Sequence, residues 1–214
     1  CIRDRSGFGG RGPDSFGGNS DCCITISGGT IRIDASGDGI DSNGALTVSG
    51  GETYVSGPMS DGNSALDHDG SATVTGGTVI AAGYSGMAQN FGTDSTQGSI
   101  LLTSRSTSTE TIRVTDASGS VLAEFAPAKA YSCVIVSTPA LRQGGTYTVT
   151  MGGESTDVTL ESLIYGTGGM GGGMGGGMGG QPGGGNMGMP PDGNGGGMGT
   201  PPDGNGGKGG RPGQ

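Results

Sequence analysis

The chain has 214 residues, 53 of them glycine, with no tryptophan and a formal net charge of −9. That acidity argues against a nucleic-acid surface, which needs Lys and Arg for the phosphates, and no apolar run is long enough for a membrane span. Glycine crowds the part beyond Tyr165, so a hydrophobic core has to come from about residues 21 to 165, enough for one domain of ordinary size.

Residues 1–20 are Gly, Arg, Asp and Phe without period, a lead-in. The chain begins at Cys1 rather than Met, as expected of a mature or truncated product. From 21 to 104 the chain repeats itself. Ile24-Thr-Ile-Ser-Gly-Gly-Thr-Ile-Arg-Ile33, Leu46-Thr-Val-Ser-Gly-Gly-Glu-Thr-Tyr-Val55 and Ala72-Thr-Val-Thr-Gly-Gly-Thr-Val-Ile-Ala81 begin 22 and then 26 residues apart. Apolar residues at every second position make half-buried strands, and the recurrent Gly-Gly marks a corner. Repeats of this length without helical periodicity predict a parallel β-helix, a solenoid in which equivalent positions stack about 4.8 Å apart.

Residues 105–165 alternate in short runs between turn signals such as Asp116-Ala-Ser-Gly119, which predicts antiparallel hairpins that cap the solenoid. From 166 to 214 the chain is Gly/Met/Pro-rich and of low complexity, a tail for which disorder is the expectation. The cysteines Cys1, Cys22, Cys23 and Cys133 have neither disulfide-scaffold nor zinc spacing, although Cys1 is placed to pair with Cys22 or Cys23.

The chemistry concentrates in the turns. Residues 21–104 hold nine acidic side chains against Arg32 and His68. Aligned on their closing glycines, Gly39-Ile-Asp-Ser-Asn-Gly44, Ala65-Leu-Asp-His-Asp-Gly70 and Met87-Ala-Gln-Asn-Phe-Gly92 put Ile40, Leu66 and Ala88 in one inward column. The same alignment places Asp41 over Asp67 and Asn43 over Asp69 on one face. Stacked carboxylates repel unless a proton, water or cation intervenes, and an all-oxygen set selects calcium. Asp38 and Asp61, on the preceding turns, complete the expected shell. The bland alternative is that Asp and Asn are favoured turn residues beside Gly.

No Ser-His-Asp or Cys-His set is legible, and the repeats hold no Lys to act as a lyase base. The chain is therefore expected not to be an enzyme and to have no catalytic residues, with a polysaccharide lyase as the enzymatic alternative. His68, alone in a turn, reads as a surface residue or a group that orients a ligand. Tyr54, Tyr84 and Phe91, at outer or turn positions, are the candidates for stacking on sugar rings.

The strings ISGGTIRIDASGDGIDSNGALTVSGGETYVSGP, ALDHDGSATVTGGTVIAAG, GMAQNFG and SLIYG resemble a family of secreted clostridial-type proteins described as carbohydrate-binding domain-containing. The resemblance covers residues 20 to 166 and is to the C-terminal portion of such proteins. It implies a right-handed parallel β-helix similar in fold to pectate lyases, calcium between its coils, and binding of plant cell-wall polysaccharide such as pectic acid or cellulose. The expectation is thus an all-β, secreted or cell-surface, calcium-stabilised carbohydrate-binding protein. The competing expectation is a structural subunit, with self as partner, that stacks end to end into an extracellular filament or surface layer.

Overall fold

The computed structural model describes residues 22–167. These form twelve strands: β1 (Cys23–Asp34), β2 (Ile40–Ser42), β3 (Ala45–Ser56), β4 (Leu66–His68), β5 (Ala72–Gly83), β6 (Ser99–Ser108), β7 (Ile112–Asp116), β8 (Val121–Phe125), β9 (Tyr131–Ser137), β10 (Thr146–Met151), β11 (Glu154–Thr159) and β12 (Ile164–Tyr165). No helix occurs among the described residues. The expectations for the lead-in, for Cys1 and for the tail beyond Thr167 lie outside the described residues.

Each repeat forms one long strand that turns at its glycines. β1, β3 and β5 pair in parallel, with Ile24 opposite Leu46 and Leu46 opposite Ala72, and the register slips at every Gly-Gly. Gly29, Gly51 and Gly77 take positive φ angles of 80°, 85° and 83°, a conformation that favours glycine. β2 and β4 form a separate parallel pair in which Ile40 meets Leu66 and Asp41 meets Asp67.

The expected solenoid with a separate antiparallel cap is corrected. The main sheet has six strands in the order β1-β3-β5-β9-β6-β12 and is mixed. β9, from the middle of the stretch assigned to the cap, runs antiparallel to both β5 and β6, and β12 then pairs parallel to β6. The physical reason lies in β9 itself. All seven residues of Tyr-Ser-Cys-Val-Ile-Val-Ser are buried, so the strand needs a packed layer on each face, and its place between β5 and β6 sets it between two cores. The remaining antiparallel strands form a four-stranded sheet, β11-β10-β7-β8.

Two cores result, one on each side of the main sheet. Val79 and Ala81 of β5, with Cys133 and Ile135 of β9, join the repeat residues Leu46, Val48, Val55, Leu66 and Val74 in the first. The alternate residues Ile80, Ala82, Val134 and Val136 face the second, where they meet Ile112, Val114, Val149 and Val158 of the four-stranded sheet and Leu160 just beyond β11. Ile40, Leu66 and Ala88 all lie in the first core, as the turn alignment requires.

Candidate functional site

Two surface regions hold the expected site residues. On the first, Asp41 of β2 stands directly opposite Asp67 of β4. Backbone bonds from Asp69 N to the Ser42 carbonyl (3.0 Å) and from Gly70 N to the Gly44 carbonyl (2.9 Å) carry the alignment past Asn43 and Asp69. Ser42 is buried between exposed Asp41 and Asn43, the alternation expected of a strand with one wet face.

The electrostatics follow from this stacking. Partial burial raises the Asp67 carboxyl above its ordinary range, and the charges of Asp38, Asp41 and Asp69 raise it further, against a smaller opposing effect of His68. Asp41 is raised for the same reasons: burial first, then Asp38 and Asp69. Four carboxylates thus share one field without converging. Among the described residues no three His, Cys, Asp or Glu side chains come together as the ligands of one metal ion. Protein donors already occupy two of the carboxylates: Ser64 N donates to Asp38 Oδ1 (2.7 Å) and Gln89 Nε2 to Asp67 Oδ1 (3.3 Å).

Asp61 is a correction. It takes no part in the field at Asp41 and Asp67. Its Oδ1 accepts the Gly86 amide (3.1 Å), and it lines a groove of about 550 Å³ together with Tyr84 and Arg105. Ser85, Thr103 and Ser132 add hydroxyls to the same groove. β6 brings Arg105 and Thr103 there on its exposed alternate positions, and β9 brings Ser132. One aromatic ring, one cation, one carboxylate and several hydroxyls therefore share a concave surface, which sets hydrogen-bond donors and acceptors beside one apolar face.

Of the three aromatics expected to meet sugar, Tyr84 stands at this groove, and Phe91 borders a different cavity, of about 320 Å³, beside Asn90. Phe91 is a correction: it is 2% exposed and belongs to the first core. Its neighbour Asn90 explains why, because Asn90 Nδ2 donates to the carbonyls of Tyr165 (2.9 Å) and Gly166 (2.8 Å), while its Oδ1 accepts from the Ser99 hydroxyl (2.6 Å). The Met-Ala-Gln-Asn-Phe-Gly string is thus a latch onto β6 and β12. Tyr54 is partly buried, with the Arg32 guanidinium 4.5 Å from its ring centroid and Phe125 packed at 5.2 Å.

His68 points Nδ1 at the Gly70 carbonyl (2.9 Å), and its Nε2 has no hydrogen-bond partner. It borders a second cavity, of about 320 Å³, beside Gln89 and Asn90. Arg105, Gln89 and Asn90 were missed in the sequence. Arg105 carries a readable signal, a cation amid the Ser/Thr of Leu102-Thr-Ser-Arg-Ser-Thr-Ser108.

No protein-family model matches this chain, and neither a curated protein nor a solved structure is significantly similar to it.

Proposed function

We propose that this chain is a non-catalytic, extracellular carbohydrate-binding module for acidic plant cell-wall polysaccharide of the pectic type, with calcium as its cation. The observation that carries the reading is the groove that joins Tyr84 and Arg105 to the Ser and Thr hydroxyls. The guanidinium suits a uronate carboxylate through a charge-assisted pair, the ring suits the apolar face of a sugar, and the hydroxyls and Asp61 suit sugar hydroxyls. Arg105 is what favours a pectic chain over cellulose, which offers no carboxylate.

Calcium belongs to the other surface in this reading. Asp41 and Asp67, with Asp38, Asn43 and Asp69 around them, supply hard oxygen donors in a field that a cation relieves. Two stacked carboxylates, with water completing the shell, correspond to the weak end of calcium sites, about 10⁻⁴–10⁻³ M.

Calorimetric titration with oligogalacturonate and with cello-oligosaccharide tests the assignment. Oligogalacturonate should bind, and Arg105→Ala and Tyr84→Ala should each weaken it about tenfold. Cello-oligosaccharide binding that ignores Arg105→Ala would replace the pectic assignment with a neutral one. No binding of either sugar in millimolar calcium would sink the reading altogether. A melting temperature that does not change between millimolar calcium and chelator would remove the metal from it.

A second reading, a subunit of an extracellular assembly, is favoured by one observation. β1 is a twelve-residue strand at the end of the six-stranded sheet, with no further strand on its outer side among the described residues.

A further inference from the structure

The glycine pairs are not equally required. A Cβ at Gly50 would stand 2.6 Å from the Ser27 carbonyl oxygen, and one at Gly76 2.5 Å from that of Ser49. In both cases the preceding strand of the stack demands glycine. Gly28 holds the equivalent place in β1, has no positive φ, and a Cβ there would meet nothing within 4 Å. Neither backbone conformation nor any described neighbour accounts for glycine at this position. A backbone that approaches the outer edge of β1 closely at this corner would account for it.

The edge is equipped for such a partner. Ala45 N donates to the Cys22 carbonyl at 3.0 Å, so alternate residues Cys23, Thr25 and Ser27 direct their N–H and C=O groups away from β3. Ile24, Ile31 and Ile33 are only partly buried, at the end of the first core that no other described residue covers. The strand is also self-complementary. Read antiparallel about its centre, Ile24-Thr-Ile-Ser-Gly-Gly-Thr-Ile-Arg-Ile33 sets Ile24 against Ile33, Ile26 against Ile31 and Gly28 against Gly29. Every inward side chain then meets an inward side chain, and corner meets corner.

We propose that the outer edge of β1 binds a second copy of this chain, β1 to β1, antiparallel about a two-fold axis between Gly28 and Gly29. The contact is isologous, so it closes at two subunits and joins the open ends of two first cores into one. This deepens the assembly reading and rests on it, replacing an open filament with a closed dimer. It is independent of glycan and calcium. In this register Thr25 lies opposite Arg32 of the second copy, twice per dimer.

Sedimentation of the full chain under reducing conditions, from about 1 µM to about 1 mM, spans the range in which an interface of modest area associates. A discrete dimer is expected, with β1 amides that exchange more slowly as concentration rises. Gly28→Ala should abolish the dimer while the melting temperature of the dilute monomer stays at or above that of the parent. Thr25→Glu should tighten dimerisation and Thr25→Lys weaken it, each about fivefold, from two cross-strand charge pairs. Open-ended growth with concentration would overturn the dimer and leave the assembly reading standing. A monomer throughout would overturn both. A dimer indifferent to Gly28→Ala, or shifted in one direction by both Thr25 variants, would place the contact elsewhere and overturn the proposal.

Discussion

Gly76→Ala isolates the cost of stacking one glycine corner on another. The φ of Gly76 is not in the positive region, so alanine is conformationally acceptable there, and the obstacle is backbone alone. The new Cβ would lie 2.5 Å from the Ser49 oxygen and 3.2 Å from its carbonyl carbon. An acceptable carbon–oxygen contact is about 3.3 Å, so β3 and β5 must part by about 0.8 Å at this corner. Overpacking of that size costs about 2 kcal/mol, and weakening one or two ladder hydrogen bonds adds about 1 kcal/mol. The reduced entropy of the unfolded chain returns about 0.5 kcal/mol. The net loss of about 2.5 kcal/mol corresponds to a fall of roughly 5–10 °C in melting temperature for a domain of this size. Gly28→Ala is the matched control: same place in the repeat, no contact within 4 Å, and an expected change between zero and a gain of about 0.5 kcal/mol. Differential scanning calorimetry of the two variants at low concentration reads the difference directly. Equal melting temperatures for the two variants, or a Gly76→Ala transition within a degree or two of the parent, would refute the steric argument.

Three further outcomes are expected. Asp67 has a folded pKa above its unfolded value, so the folded chain binds the extra proton; its contribution to stability is full below the ordinary aspartate value of 3.8 and is lost as pH rises through the raised value. Asp67→Asn should therefore stabilise the neutral-pH protein in calcium-free urea titrations, by no more than about 0.5 kcal/mol because solvent screens this partly exposed group, and flatten the acid side of the stability profile. The Asn Oδ1 still accepts from Gln89, so a destabilised variant would refute the repulsion. Burial pushes the Cys133 thiol up to about 12, so alkylation followed by peptide mapping at pH 8 should leave it unmodified until denaturant is added. Lys129 Nζ lies 2.6 Å from Asp34 Oδ1 and donates to the Ala35 carbonyl at 2.6 Å, with its side chain 19% exposed. Lys129→Ala should cost about 1 kcal/mol by urea denaturation and speed amide exchange at the end of β1; an unchanged midpoint would show the clamp to be idle.

Much of the repeat was legible because its signals are local. Alternation puts Leu46, Val48 and Val74 inside, and the shared closing glycines align Asp41 with Asp67, as the paired strands do. The shell around that pair was not legible. Asp61 sits in a turn of similar spelling, yet Gly86 captures it and it faces the groove with Tyr84. Phe91 looks like a turn aromatic, but the Asn90 latch onto β6 and β12 draws it into the core. Tyr54 reads as an outward ring on a strand, and only the parallel register that sets it beside Arg32 shows that a cation already covers it.

By itself the sequence determined an all-β chain, its three glycine-cornered strands, their order and register, and the stacking of acidic turns. These follow from the two-residue period of a strand and from repeats that match position for position. Only the tertiary structure decided what lies beyond β5. Val79 pairs with Ser137, and Ser99 with Ser137 on the other side, contacts between segments with no sequence likeness to the repeats. A strand buried on both faces carries no alternation to announce its neighbours. The insertion of β9, and with it the mixed sheet, the second core and the groove beside Tyr84, therefore came from long-range pairing rather than from local pattern.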